Sequence, residues 1–178
     1  MEEEGIINRV AQSGIVSIDL EDLIPYRDSK AVDIAEQLFQ GLILKEADFR
    51  AWIKEADWST CKDCDVAIHC SADAVVPTWA YMLVASALQD YTASVYFCSP
   101  SQLNAMVVER ELSVIRPGDY LDKRVVIKGC GNRAISNHAY ILLTSKLVPV
   151  VKSLMFGSLA VQFLFTNSGN KRIISRVF

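Results

Sequence analysis

The feature that most constrains this chain is an internal repeat. Residues 66–97 lie over residues 125–156 without a gap. Val66 meets Val125, Ile68 meets Ile127, and Ala80-Tyr81 meets Ala139-Tyr140. Leu83, Ser86 and Leu88 meet Leu142, Ser145 and Leu147, and Ser94 and Phe97 meet Ser153 and Phe156. Nine of the 32 positions are identical. Hydrophobic patterning alone would not demand the Ala-Tyr pair or the serines, so the match signifies a unit used twice. Each copy reads as strand, loop, helix, strand. Asp65-Val66-Ala67-Ile68 and Arg124-Val125-Val126-Ile127 are short buried strands. Helices follow from Pro77 to about Leu88 and over 137–148, and Ser94–Phe97 and Ser153–Phe156 are the returning strands. Strands that alternate with helices of this length imply right-handed crossovers and parallel pairing. The fold class expected is a three-layer, Rossmann-like α/β domain with a mostly parallel sheet.

The flanking segments are less regular. Residues 6–12 suit a short helix and Ile15–Leu20 alternates as a strand. Residues 31–39 suit either a strand or a short helix. A helix over about 45–57 presents Phe49, Trp52 and Ile53 at i, i+3, i+4 spacing. Ser99-Pro100-Ser101-Gln102 has the form of a capping box, opening a helix to about 114. Arg116-Pro117-Gly118-Asp119 is a turn. The expected organisation is a single domain over 1–178. Residues 1–60 cover an α/β core at 64–157, and the tail 158–178, with no clear period, is the least securely placed part.

Bulk properties narrow the function. Hydrophobic residues make up 51% of 178 residues and charged residues 22%, which suits a packed core. A net charge of -3 gives no electrostatic footprint for nucleic acid, so no nucleic-acid partner is expected. No apolar run reaches the ~20 residues of a membrane span, and the start Met1-Glu2-Glu3-Glu4 is unlike a secretory leader. A cytoplasmic, membrane-free location follows as an expectation. Five cysteines are an odd number for a disulfide framework, so reduced thiols are expected.

The chemistry-bearing residues fall in the two strand-to-helix loops. Copy one reads His69-Cys70-Ser71-Ala72-Asp73, and copy two Lys128-Gly129-Cys130-Gly131-Asn132-Arg133. Cys70 and Cys130 sit one position apart in register, at the carboxyl ends of strands, where open α/β sheets hold ligands. They are candidate ligands for zinc or an iron–sulfur cluster. As alternatives, one thiol is a nucleophile, or both fill small spaces in the core. Asp73 is a ligand, a base or a loop-organising acceptor. Ser71, Lys128 and Arg133 are candidates to hold an anion near a helix N-terminus. Cys61-Lys62-Asp63-Cys64 is a CxxC that precedes a strand rather than following one, and reads as a surface loop. His69 and His138 lack a partner at ligand spacing and read as structural. There is no glycine-rich phosphate loop, nucleophile elbow or HExxH motif, and the chain is not read as an enzyme on motif grounds.

Several segments resemble a bacterial family, the domain of unknown function 2480. They are Ile7-Asn8-Arg9-Val10, Leu38–Glu46, Cys70–Ala74 with Pro77–Met82, Val125–Cys130 and Lys152–Gly157. The resemblance covers residues 6–157. It implies an association with iron–sulfur cluster assembly, because members lie beside such genes, and hence partners among iron–sulfur assembly proteins. Relatives follow the glycine matching Gly157 with Glu-Pro-Cys-Ser-Thr-Val-Pro, whereas this chain continues Ser158-Leu159-Ala160-Val161-Gln162-Phe163-Leu164. Codons for Ser158–Thr166 exist that, read one base earlier, spell that family ending. The resemblance therefore implies a frame shift after Gly157 that removes a third cysteine and impairs metal binding.

Overall fold

The computed structural model describes residues 14–129, 134–158, 161–168 and 171–177. Its strands and helices form an α/β fold with Rossmann-like connectivity. Parallel strands are joined by helical crossovers and fall into two sheets, each with three parallel strands. Contacts cluster into two compact units, residues 26–107 and residues 1–25 with 108–178.

The unit 26–107 holds the first copy of the repeat. Strands β2 (Ser29–Asp33), β5 (Asp65–His69) and β6 (Ser94–Phe97) form a sheet in the order β2-β5-β6. Between them lie β3 (Leu38–Phe39) and β4 (Ile43–Leu44), paired as a separate ribbon, and helix α2 (Glu46–Glu55). Val66, Ala67 and Ile68 of the central strand are buried, as expected for a strand covered on both faces. Helix α3 (Thr78–Leu88) starts just after Pro77, whose fixed φ suits a helix entry. It turns Ala80, Val84 and Leu88, all fully buried, toward the core. That core also holds Ile34 and Phe49.

The other unit holds the second copy. Strands β1 (Ile15–Asp19), β7 (Arg124–Lys128) and β8 (Ser153–Ser158) run parallel, and the sheet continues antiparallel through β9 (Val161–Ser168) and β10 (Lys171–Val177). Helix α5 (Asn137–Leu147) connects β7 to β8 and buries Ala139, Leu143 and Leu147, the counterparts of Ala80, Val84 and Leu88. The short helix α1 (Leu20–Leu23) follows β1. The helix α4 (Leu103–Ser113), whose residues up to Val107 belong to the unit 26–107, begins after a single helical turn at Pro100–Gln102. There the Gln102 carboxamide oxygen accepts from Ser99 N at 3.1 Å and from the Ser99 hydroxyl at 2.8 Å, as the capping-box spacing anticipates.

The duplication is visible in the ladders. Val66↔Val95 and Ile68↔Phe97 recur as Val125↔Leu154 and Ile127↔Phe156. It also extends further than the aligned sequence. Each copy has a third parallel strand on the outer side, β2 beside β5 and β1 beside β7. Each outer strand ends in an aspartate that accepts a hydrogen bond from the backbone two residues on, Asp33 from Ala35 N and Asp19 from Glu21 N. A fully buried aliphatic residue follows each aspartate, Ile34 and Leu20.

Two expectations need correction. Cys61 and Cys64 do not lie on a surface loop: both are buried and belong to the core around Phe49. The tail, read as aperiodic, contains the two strands β9 and β10. Antiparallel pairing to β8 and between themselves supplies hydrogen bonds that composition alone did not signal. The expected helix over 6–12 lies outside the described residues.

Candidate functional site at the carboxyl edge of the sheet

Strand β5 runs out at His69, and the chain turns toward α3 through Cys70-Ser71-Ala72-Asp73. Beside it, β2 ends at Asp33, directly opposite His69 in the ladder. The Asp33 carboxylate ties the two strand ends together. It accepts from Ala35 N at 2.9 Å and from Ser71 N at 3.0 Å. Burial opposes its ionisation. Hydrogen bonds from the Ser71 hydroxyl, Ala35 N and Ser71 N, aided by nearby His69, outweigh burial and hold the carboxyl below its ordinary pKa.

Cys70 is half-buried, and its thiol donates to Ala72 O at 3.6 Å. The Tyr81 hydroxyl lies within electrostatic reach of both Cys70 and Asp33. Burial, then Cys70, then Asp33 push its pKa up, so it remains a neutral donor at physiological pH. The Tyr81 ring meets Phe97 edge to face at 5.0 Å, and Phe97 is exposed. Thus Asp33, His69, Cys70, Ser71 and Tyr81 meet at one sheet edge, with an exposed aromatic ring alongside. Asp73 is exposed in the same loop, as is Ser71.

The second copy uses the same scaffold with different chemistry. Asp19 stands opposite Lys128, which ends β7 half-buried. Tyr140 repeats Tyr81 and packs edge to face on Phe156 at 5.4 Å. Its hydroxyl donates to Gly129 O at 2.7 Å. Gly129 occupies the position of Cys70 in the repeat. A Cβ there would collide with the Tyr140 hydroxyl, and the residue's φ of +156° is one that side chains rarely adopt; together these explain why this copy carries glycine. Beyond Gly129, the expected site residues Cys130 and Arg133 lie outside the described residues.

Sequence reasoning found Cys70, Ser71 and Asp73 but missed Asp33 and the role of Tyr81. The signal for Asp33 was present: an aspartate ends a strand-like run immediately before a buried aliphatic residue, at both Asp19 and Asp33. The repeated Ala-Tyr pair was likewise the signal for the two hydroxyls. His138 pairs with Glu109 at 3.3 Å on the surface.

The donor set can be tested for a metal. Among the described residues, no group of three histidine, cysteine or carboxylate side chains is placed to hold one. Asp33 has its carboxylate committed to loop hydrogen bonds, leaving Cys70 as one thiolate where zinc wants three or four ligands. The described residues by themselves do not fit zinc or a cluster.

The Asp33 carboxylate sets a testable pH dependence. Its folded pKa is depressed, so its stabilisation is present above the ordinary carboxylate range and lost as pH falls through the lowered value. Asp33→Asn is expected to cost about 1 kcal/mol near neutral pH. The difference from the parent chain should hold above about pH 5 and shrink as pH falls below about 4, through the lowered carboxyl pKa, measured by urea unfolding. An invariant difference would show that the charge contributes nothing.

Among the described residues no helix is long and apolar enough to cross a membrane. No curated protein and no solved structure matches the chain significantly. A family model described as "protein of unknown function (DUF2480)" matches residues 4–162, which takes in both copies of the repeat and both loops. The chain is a member of the DUF2480 family.

Proposed function

We propose that the carboxyl edge of β2 and β5 is a small-molecule or anion site with Cys70 as its reactive thiol. The observation that carries this reading is the anchoring of the Cys70–Ser71 loop on Asp33. It holds a half-exposed thiol beside the neutral Tyr81 hydroxyl at the end of a parallel strand. Ser71 and Asp73 flank the thiol and are exposed to a ligand. Tyr81 is a donor for a negatively charged oxygen, and the start of α3 supplies unpaired backbone N–H groups. In this reading the thiol is the nucleophile and Asp33 acts through loop position.

Iodoacetamide labelling followed by peptide mapping tests it. Cys70 is expected to react at least about tenfold faster than the buried Cys61 and Cys64. Asp33→Asn should change the Cys70 rate while leaving the slower rates of Cys61 and Cys64 as they are. Equal rates at all three cysteines, or no effect of Asp33→Asn, would sink the reading.

A second reading makes the chain an accessory to iron–sulfur cluster assembly, acting with assembly proteins through Cys70 and Cys130. Its support is the correspondence of the two loops in the repeat, together with the association with iron–sulfur assembly genes that the resemblance implies. It needs ligands beyond Cys70, which relatives would supply from Cys130 and their tail cysteine. Metal analysis after anaerobic purification separates the two readings. Stoichiometric zinc or iron that disappears in Cys70→Ser favours the second. The frame-shift proposal adds that this chain binds little metal and that rewriting the tail as Glu-Pro-Cys-Ser-Thr-Val-Pro after Gly157 restores binding. Source DNA that offers no such reading frame would end that part of the proposal.

A further inference from the structure

The two buried cysteines outside the candidate site occupy the corners of one tight turn. Cys64 N donates to Cys61 O at 3.1 Å. Between them Lys62 has φ -59 and ψ 130, and Asp63 has φ 57. These are the dihedrals of a type II β-turn, whose first and fourth Cα atoms lie less than about 7 Å apart. A disulfide needs Cα atoms about 4.4–6.8 Å apart. The turn thus brings the Cys61 and Cys64 backbones close to disulfide range; the Cys64 thiol, which donates to Lys62 O at 3.4 Å, has to turn toward Cys61 for the bond to form. Both thiols lie in the same apolar core, at 6% and 5% exposure.

Access to the pair is one-sided. A cavity of about 350 Å³ is lined by Cys64 together with Arg27, Asp28, Lys62 and Asp63, and Cys61 is not among its walls. Burial, then Asp28 and Cys61, raise the Cys64 pKa, with Lys30 opposing and Asp63 adding to the rise. The thiolate is therefore scarce, which slows thiol–disulfide exchange at Cys64.

We propose that Cys61 and Cys64 form a dithiol switch that is oxidised to an intrachain disulfide by a small-molecule disulfide entering at Cys64. The Cys64 thiolate attacks one sulfur of the oxidant, breaking its S–S bond and releasing one thiol. The Cys61 thiol, having lost its proton, then attacks the Cys64 sulfur of the mixed disulfide. The Cys61–Cys64 bond forms and the second thiol leaves. The protein loses two electrons and two protons, and the oxidant disulfide gains them as two thiols. The oxidised turn pins the entry to β5, the strand whose far end carries Cys70.

Oxidised glutathione is the probe. The full chain is incubated with it under native conditions, quenched in acid and digested with trypsin. Trypsin cuts after Lys62, and a second digestion with Asp-N cuts before Asp65, so Cys61, Cys64 and Cys70 fall on separate peptides unless a disulfide joins them. The expected result is one joined peptide pair per chain, two equivalents of reduced glutathione released, and separation of the pair on reduction. In Cys61→Ser, a glutathione adduct should accumulate on Cys64. Cys61 and Cys64 peptides that remain separate after native oxidation would overturn the proposal. So would a cross-link that forms only in denaturant, or one joining either cysteine to a different partner. The unsubstituted chain carries this test, so it stands whether or not the serine variant folds. Cys70 reactivity is read separately, so either proposal can fail alone.

Discussion

Phe49→Ala is expected to destabilise the unit 26–107 by about 3–5 kcal/mol, the range for emptying a buried aromatic site. Phe49 is 1% exposed and is the centre of an aromatic cluster. Its ring lies 5.2 Å from Trp52 and 5.8 Å from Trp79, the latter edge to face. Trp52 in turn meets Trp58 edge to face at 5.2 Å, and Trp58 Nε1 donates to Ile53 O at 2.9 Å. The cluster is how α2 docks on α3: Phe49, Trp52 and Ile53 come from one helix, Trp79 from the other. Truncation removes both apolar burial and ring contacts, and the rigid neighbours collapse only partly into the space. Urea unfolding followed by tryptophan fluorescence measures the loss, because the reporters surround the substituted residue. A cost below about 1 kcal/mol would mean that the cluster is loose and that α2 is held elsewhere.

Gly129→Ala is expected to cost about 1–3 kcal/mol, the range for overpacking a well-filled site. Gly129 is buried, and its new Cβ would strike the Tyr140 hydroxyl while standing 3.2 Å from Cζ of the same ring and 3.4 Å from the Leu20 Cβ. Tyr140 cannot swing away freely. Its hydroxyl is bonded to Gly129 O and its ring is held edge to face on Phe156. Tyr140→Phe removes the colliding oxygen and loses one hydrogen bond, at about 1 kcal/mol. The double variant is expected to be more stable than the sum of the two losses, because the clash with the oxygen is gone, while the 3.2 Å contact to Cζ and the strain of φ +156° remain. Strict additivity in the two-by-two unfolding cycle would show that the backbone conformation at φ +156°, and not the tyrosine oxygen, sets the cost. The matching position in the first copy is Cys70, where a side chain is accommodated. The same scaffold therefore places a thiol at one edge and closes the other with tyrosine.

The order of strands, loops and helices was legible in the sequence because period and punctuation are local properties. Val66–Ile68 and Val125–Ile127 are short apolar runs, Pro77 and the Ser99–Gln102 box mark helix entries, and the matched Ala-Tyr pairs reveal the duplication. That reading placed Cys70 and Ser71 at a strand's carboxyl end, where the structure has them. Strand partnership is a different matter. The pairing of β2 with β5 and of β1 with β7 joins segments far apart in the chain, and no local pattern encodes it. Only that pairing brings Asp33 to Ser71, and only the packing of α3 brings the Tyr81 hydroxyl to Cys70 and Asp33. The division of the parallel strands between two sheets, and the tail's antiparallel strands, were settled the same way. Backbone hydrogen bonds there are satisfied by partners that one-dimensional periodicity cannot name. The burial of Cys61 and Cys64 likewise follows from the core that closes around Phe49, since four residues of mixed polarity read alone as surface.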